Sequence, residues 1–312
     1  MDSKQVALLL AVLTAATVLF TQVEKTSAIS EFEAWKVEFG VKFESAFENA
    51  YREKVFLQNK AKIAIHNSDK TQTYEMGVNQ FTAHTAEEFQ QQFLGLVVPE
   101  NYISVESNAE VISVGDVDWT TQGAVTPVKN QGQCGSCWAF STTGSLEGLS
   151  KIAYGTLKSF SEQQLVDCSG SYGNQACNGG LMDNAFKFVK DHGIVLESEY
   201  AYKAVKGTCQ KTGGDFKISG YTDIKDCNTL ATALAKWPVS IAVDATNWSS
   251  YKSGVFKNCS NKLNHGVTLV GVSGQGWKVK NSWGASWGES GFITLAVGNT
   301  CGMCNMASYP NK

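Results

Sequence analysis

Between residues 30 and 68 the apolar positions recur with a helical period. Phe43, Phe47, Ala50 and Tyr51 fall at i, i+4, i+7 and i+8, on one face of a helix. A second stripe runs Glu48, Arg52, Phe56, Asn59, Ile63 and Asn67. Its steps of three and four line one slowly winding side of the same helix. Glu48 and Arg52 are spaced to pair, at about 0.3–0.5 kcal/mol if exposed. Residues 97–117 carry no helical period and read as an extended linker. A helical pattern returns from about Ser136 to Tyr154, and Gly155 is a natural stop. Ser161-Glu162-Gln163-Gln164 has the form of a capping box and predicts another helix start. Leu181–Lys190 predicts a third helix, ended near Gly193. From about Phe216 the period changes to two. Val239, Ile241 and Val243 alternate with Ser240 and Ala242, and Trp277 and Val279 with Lys278 and Lys280. Phe292–Val297 is a further strand candidate. Helices first and strands later predict an α+β fold of two sub-domains with a cleft where they join.

The N-terminus departs from this pattern. Val6–Phe20 is an unbroken run of apolar and small residues. It falls short of the about 20 residues a membrane span needs and suits the core of a signal peptide. Cleavage after Ala28 leaves a protein in an oxidising secretory route. The whole chain has 312 residues, 43 % apolar, and a formal charge of −3, which gives no pointer to nucleic acid or an anionic membrane. Its nine cysteines all lie at or after Cys134. An odd count in a secreted chain predicts one free thiol and up to four bridges.

The sharpest local signal is QGQCGSCWAF, residues 131–140. Its C-x-x-C pair, Cys134 and Cys137, has three readings. A redox dithiol belongs beside a βαβ unit, and none precedes it. A zinc site could draw on Cys301 and Cys304, but zinc half-sites normally lie about 15–20 residues apart, far closer than these. Nucleophilic catalysis fits better, because a cysteine at a helix N-terminus feels the positive end of the dipole, which favours thiolate. Such a cysteine needs a base near it in space and a third group to orient the base. His66 and His84 lie in the cysteine-free part, and His192 sits at a helix end. His265, in LNHGVTLVG, opens a strand, and Asn281, in VKNSWGASWG, ends another with the inward parity of Trp277 and Val279.

QGQCGSCWAF, NHGV and KNSWG together resemble the papain family of cysteine proteases. That family's local signature is C-G-[SA]-C-[WY], with His and Asn about 130–150 residues downstream. The resemblance implies Cys137 as nucleophile, His265 as base and then acid, Asn281 orienting the imidazole, and Trp283 covering that contact. Gln131 and the backbone N–H of Cys137 would donate to the oxyanion. It also implies bridges Cys134–Cys177, Cys168–Cys209 and Cys259–Cys301. Cys227 and Cys304 lie outside the common family pattern, and parity pairs them with each other. By the same resemblance Gly179 and Gly180 offer backbone hydrogen bonds to an extended peptide, and Asn264 binds backbone beside them. Leu181, Met182, Ala242, Leu263, Gly266 and Met306 line an apolar S2 pocket suited to a bulky apolar P2 residue and poor for arginine. Trp287 reads as a core residue.

The second stripe of the first helix matches the ERFNIN pattern of cathepsin L-like propeptides at every position. Gly77, Asn79 and Phe81 match the companion GNFD motif, in which Ala83 replaces the aspartate. The expected layout is a signal peptide at 1–28, an inhibitory propeptide at 29–112 and a mature protease domain at 113–312. The expected architecture is the papain-like two-subdomain fold, a helical left domain and a β-barrel-like right domain, preceded by a helical pro-domain whose tail runs backwards through the cleft. The implied activity is that of an endopeptidase made as a zymogen, monomeric, without cofactor or metal. It would act on protein and peptide substrates in a lysosome, vacuole or extracellular space, with no nucleic-acid partner and no membrane after signal cleavage. A peptide ligase and a catalytically silent relative are the alternatives, and no insertion points to an exopeptidase. Asn247 and Asn258 lie in N-glycosylation sequons.

Overall fold

The computed structural model describes residues 31–99, 102 and 115–312. The signal-peptide run, the maturation boundary and most of the expected linker therefore lie outside the described residues. The chain divides into two compact units. The smaller comprises the described residues up to Ile65 together with Val78–His84, and the larger comprises His66–Gly77 and Thr85–Lys312.

In the smaller unit residues 31–38 form helix α1, and α2 begins at Ala46 and runs to Ser68. Gly40 interrupts them with φ +64°, in the left-handed region that suits glycine. Phe32, Trp35, Phe56 and Ala83 make a small aromatic core. The two sequence stripes of α2 have different fates. Phe47 and Tyr51 stay 86 % and 42 % exposed, so the first stripe is not a buried face. The second stripe works through both its apolar and its polar members. Phe56 and Ile63 are buried. Arg52 donates to the Ala83 carbonyl at 3.1 Å, and Asn59 Nδ2 donates to the Thr82 and His84 carbonyls at 2.8 and 2.9 Å. The stripe thus satisfies backbone groups of a segment that makes no secondary structure of its own. Glu48 approaches Arg52 at 3.7 Å from a half-exposed position.

The larger unit is α+β. Its helices are α3 (Ala86–Phe93), α4 (Cys137–Tyr154), α5 (Glu162–Cys168), α6 (Met182–His192) and α7 (Cys227–Leu234). Its strands are β1 (Tyr74–Met76), β2 (Val117–Asp118), β3 (Gly220–Ile224), β4 (Val239–Val243), β5 (Tyr251–Phe256), β6 (His265–Ser273), β7 (Gly276–Lys280), β8 (Phe292–Leu295) and β9 (Ala307–Asn311). The main sheet order is β1-β5-β8-β7-β6-β4-β9-β3, with β2 on β6. The two ends, β1 and β3, do not pair, so the sheet is open, which corrects the barrel-like expectation. Strand β1 adds to the edge at β5, with Tyr74 opposite Gly254.

Helix α4 is buried from Cys137 to Ser150 on every side. Small residues make this possible. A Cβ on Gly144 would meet Thr268 Oγ1 at 2.3 Å, and one on Gly148 would meet the Pro238 ring at 2.5 Å. Ser141 and Ser240 hydroxyls carry the polar traffic between helix and sheet, Ser141 to the Val267 carbonyl at 2.6 Å and Ser240 to the Ser141 carbonyl at 2.8 Å. Gly155 ends the helix with φ +79°, as its sequence position predicts. Ser161 caps α5 by accepting from the Gln164 N–H, but the Gln164 side chain turns away to Lys211 and Val195, so the capping box is half formed. Four disulfides join Cys134–Cys177, Cys168–Cys209, Cys227–Cys304 and Cys259–Cys301, and Cys137 is the remaining thiol. Cys134 and Cys301 are thus bonded to different partners, which removes the zinc and redox readings of the two C-x-x-C pairs.

Candidate active site

Cys137 is the first residue of α4, His265 the first of β6, and Asn281 the first after β7. The starts of α4 and β6 pack closely: a Cβ on Gly266, the residue after His265, would lie 3.4 Å from the Cys137 carbonyl oxygen. His265 Nε2 lies 2.8 Å from Asn281 Oδ1. That oxygen also accepts from the Ser282 N–H at 2.8 Å, so it is an acceptor and Nε2 carries the ring proton. His265 Nδ1 is then the unprotonated nitrogen, buried and without a hydrogen-bond partner. Trp283 stacks on the imidazole at 4.7 Å, and Trp248 closes it edge-on at 6.2 Å. Trp287 packs behind both as a buried core residue, at 4.8 Å from Trp283.

Burial controls the charge state here. It pulls the His265 pKa down to about 4, against the Asn281 hydrogen bond, which favours the charged ring. It pushes the Cys137 thiol up, and backbone N–H groups of Gly266, Gly95 and Trp138 offset this only in part. In this closed state burial therefore disfavours the charged form of both groups, opposing the thiolate that the helix dipole alone favours.

The burial comes from the chain itself. The segment after α3 lies along the cleft: Gly95 carbonyl accepts from Gly180 N–H at 3.0 Å, Leu96 N–H donates to the Asn264 carbonyl at 3.1 Å, and Val97 N–H donates to the Gly180 carbonyl at 2.9 Å. The pairing of Leu96 with Gly180 is parallel. A Cβ on Gly95 would sit 2.0 Å from the Gly135 carbonyl oxygen, so the strap passes at glycine-only distance two residues before the thiol. Gly179 has φ +115°, and a Cβ there would strike the strap at 2.8 Å. Asn264 uses its backbone carbonyl on the strap, while its side chain braces Ala245 and Thr246. Leu96 and Val98 pack against the core cluster that includes Met182, Ala242 and Leu263, with Met306 beside it. Leu181 is also buried, with its N–H donating to Asn174 Oδ1. Gly266 lets Met182 Sδ approach to 3.1 Å of its missing Cβ.

Gln131 is fully buried, and its Nε2 donates to the carbonyls of Phe93 at 3.0 Å and Cys134 at 2.9 Å. Phe93 ends α3, the helix that leads into the strap, so a carbonyl at the strap's start occupies the side-chain donor named from sequence. Phe89, one turn earlier, meets Trp283 edge-on at 5.2 Å.

Sequence reasoning missed several neighbours. Ser282 Oγ donates to Gln131 Oε1 at 2.7 Å and fixes which end of the amide points at the cleft. Next to α4 lies a buried charge network. Lys129 bonds Glu147 at 2.8 Å and Glu162 at 2.6 Å, and Lys280 bonds Thr126 at 2.8 Å. Lys129, Glu147, Glu162 and Lys280 line a cavity of about 10 Å³ that also touches Asn281 and Ser282. Burial and the nearby Glu147 carboxylate push Glu162 up to about 7, against the pull of Lys129. Among the described residues no group of three or more His, Cys, Asp and Glu side chains is placed to hold a metal, and no helix is long and apolar enough to cross a membrane.

An α+β protein with one free thiol at a helix start, a histidine–asparagine pair opposite and its own chain in the cleft is the architecture of a latent thiol enzyme. Residues 114–311 match the family model described as papain family cysteine protease, and residues 32–89 match the cathepsin propeptide inhibitor domain. The chain belongs to the papain family of cysteine proteases. It is 45 % identical over 283 residues to cathepsin L 2 of Paramecium tetraurelia, covering 88 % of this chain and 90 % of that one. It is 41 % identical to cathepsin L1 of Drosophila melanogaster, covering 90 % and 85 %. The solved digestive procathepsin L 3 of Tenebrio molitor larval midgut superposes with a TM-score of 0.81 at 38 % identity, covering 91 % of this chain and 99 % of that one. The chain is a cathepsin L-like cysteine endopeptidase carrying its propeptide.

Proposed function

We propose that this enzyme hydrolyses peptide bonds with Cys137, His265 and Asn281, and that it is latent because residues 93–97 occupy the substrate groove. One observation carries the reading: the strap's backbone already engages Gly180 and Asn264, while Gln131 donates to the Phe93 carbonyl. These are the groups an extended peptide and its oxyanion need. Removal of the strap rehydrates the thiol and ends the burial that holds it neutral. The thiol proton then passes to His265 Nδ1, giving the thiolate–imidazolium pair. The thiolate attacks the scissile carbonyl, and the oxyanion takes hydrogen bonds from Gln131 Nε2 and the Cys137 N–H. Losing one such donor typically costs about 10²–10³ in turnover. His265 gives its proton to the leaving amine, and water then releases the acyl group. Asn281 keeps Nε2 protonated and Nδ1 free, and Trp283 shields that bond from water.

The apolar set Leu181, Met182, Ala242, Leu263, Gly266 and Met306 supports a preference for a bulky apolar P2 residue. The mature domain begins near Ser113, and the protein works as a monomer after signal cleavage. Four disulfides and the cathepsin relatives agree with a secretory or lysosomal setting, and an acidic compartment is the finer assignment. The test compares the zymogen with Cys137→Ala, both acidified with a thiol reductant and given a fluorogenic peptide with Leu at P2. Processing and cleavage by the wild type alone supports the reading. A folded, processed wild type that leaves the peptide intact refutes it. Appearance of aminolysis products when an amine is added would favour a ligase.

A further inference from the structure

Tyr202 lies outside the groove, on the segment after α6, yet its hydroxyl reaches both chain positions that frame the thiol. Its Oη donates to the Gln131 carbonyl at 2.8 Å and lies 2.6 Å from Ser136 Oγ. Ser136 is the residue immediately before Cys137 and the N-cap position of α4, where its side chain makes no capping bond. The Ser136 hydroxyl therefore serves the tyrosine rather than the helix. Tyr202 is itself fixed at two further points. Its N–H donates to Glu197 Oε1 at 2.8 Å, and its ring stands edge-on to Phe140 at 4.8 Å, one turn into α4. The stretch it spans is a turn in which Gly132 has φ +59°; its middle is tied to Cys177 by the Cys134 bridge and by the Gly135 N–H on the Cys177 carbonyl at 3.0 Å, and Tyr202 joins its two ends. Among the described residues the Gln131 main chain makes one further hydrogen bond, from its N–H to the Ser282 carbonyl at 2.8 Å on the sheet side.

We propose that Tyr202 is a positioning residue for the oxyanion site, its hydroxyl clamping the Gln131 backbone to the start of the α4 helix so that the Gln131 amide and the Cys137 N–H converge on one point. This rests on the reading of Gln131 as an oxyanion donor. Hydrogen-bond donors act in catalysis only when they are aimed before the reaction, so a loosened Gln131 weakens turnover more than ground-state binding. Substrate backbone contacts at Gly180 and Asn264 do not involve Tyr202.

The experiment measures kcat and KM of processed wild type, Tyr202→Phe, Gln131→Ala and the double variant, with active sites counted by stoichiometric titration of Cys137. Tyr202→Phe removes the hydroxyl and keeps the ring on Phe140. Its expected effect is a fall in kcat of about 3- to 10-fold, a fraction of the loss from deleting the donor outright, with KM within about twofold. In the Gln131→Ala background the Tyr202→Phe loss should vanish, because there is no amide left to aim. Unchanged kcat, or a loss that persists in full beside Gln131→Ala, overturns the proposal. Should Tyr202→Phe not fold, the same cycle with Ser136→Ala reads the other end of the clamp, and a loss additive with Gln131→Ala overturns it equally. If Gln131→Ala alone has no effect while Cys137→Ala is dead, the oxyanion assignment fails, a result distinct from failure of the tyrosine clamp.

Discussion

Gly95→Ala isolates the strap as the cause of latency. The new Cβ would lie 2.0 Å from the Gly135 carbonyl oxygen and 2.4 Å from its carbon, and neither is the end of a flexible side chain. The strap must lift. Three backbone hydrogen bonds hold it to Gly180 and Asn264 at 2.9–3.1 Å. Each contributes about 0.5–1.5 kcal/mol net, so losing all three weakens closure by about 1.5–4.5 kcal/mol. At 1.4 kcal/mol per tenfold, the open fraction rises by about 10- to 1,000-fold. Cys137 is the one free thiol, which gives a direct assay: alkylation of the intact zymogen by iodoacetamide at neutral pH, followed by mass. The variant should label faster by that factor and cleave a small fluorogenic peptide without processing. A folded Gly95→Ala zymogen that labels at the wild-type rate would show that burial of the thiol does not depend on the strap.

Three further outcomes follow from the same structure. Replacing Cys227 and Cys304 together by Ala removes a bridge worth about 2–4 kcal/mol, read as a lower unfolding midpoint in denaturant; an unchanged midpoint would mean the bridge is not formed. His265 has a folded pKa near 4, below its ordinary 6.5, so the closed zymogen binds fewer protons than the unfolded chain between those values. Its contribution is complete above pH 6.5 and lost as pH falls through 4, on the order of 3 kcal/mol, while Asp183, raised to about 6 by burial, slopes the other way. His265→Gln should flatten the acid limb of a melting-temperature profile, and an identical limb would contradict the assignment. Peptides with arginine at P2 should be cleaved far more slowly than those with leucine or phenylalanine, since the set proposed for S2 holds no acidic side chain; comparable kcat/KM values would refute this.

Much of the site was readable because its residues sit in short local patterns. Cys137 at a helix start, His265 opening a strand and Asn281 following one lie in the short motifs QGQCGSCWAF, NHGV and KNSWG. The polar members of the α2 stripe were also visible, though only the structure shows that Arg52 and Asn59 work by capping loop carbonyls. Other features are set by distant partners and leave no local mark. Glu147 and Glu162 look like surface residues until Lys129 arrives from a separate loop to pair with both. Tyr202 is likewise defined by contacts with Gln131 and Ser136, far away in sequence. The capping box of α3 is the reverse case. Thr85 and Glu88 exchange bonds in full, and T-x-x-E before an apolar turn is a signal in the sequence itself. Phe47 and Tyr51 show the limit of periodicity, which finds a face without saying what covers it.

The central claim is that Cys137 performs the chemistry once the strap has left. The measurement is the intact mass of zymogen and processed enzyme after exposure to a peptidyl vinyl sulfone with Leu at P2, with peptide mapping of the adduct and activity followed in parallel. The account predicts one adduct per processed chain, on Cys137, with activity lost in proportion, and none on the closed zymogen. Processed enzyme that keeps its activity with Cys137 fully modified, or loses it through an adduct on another residue, would contradict it.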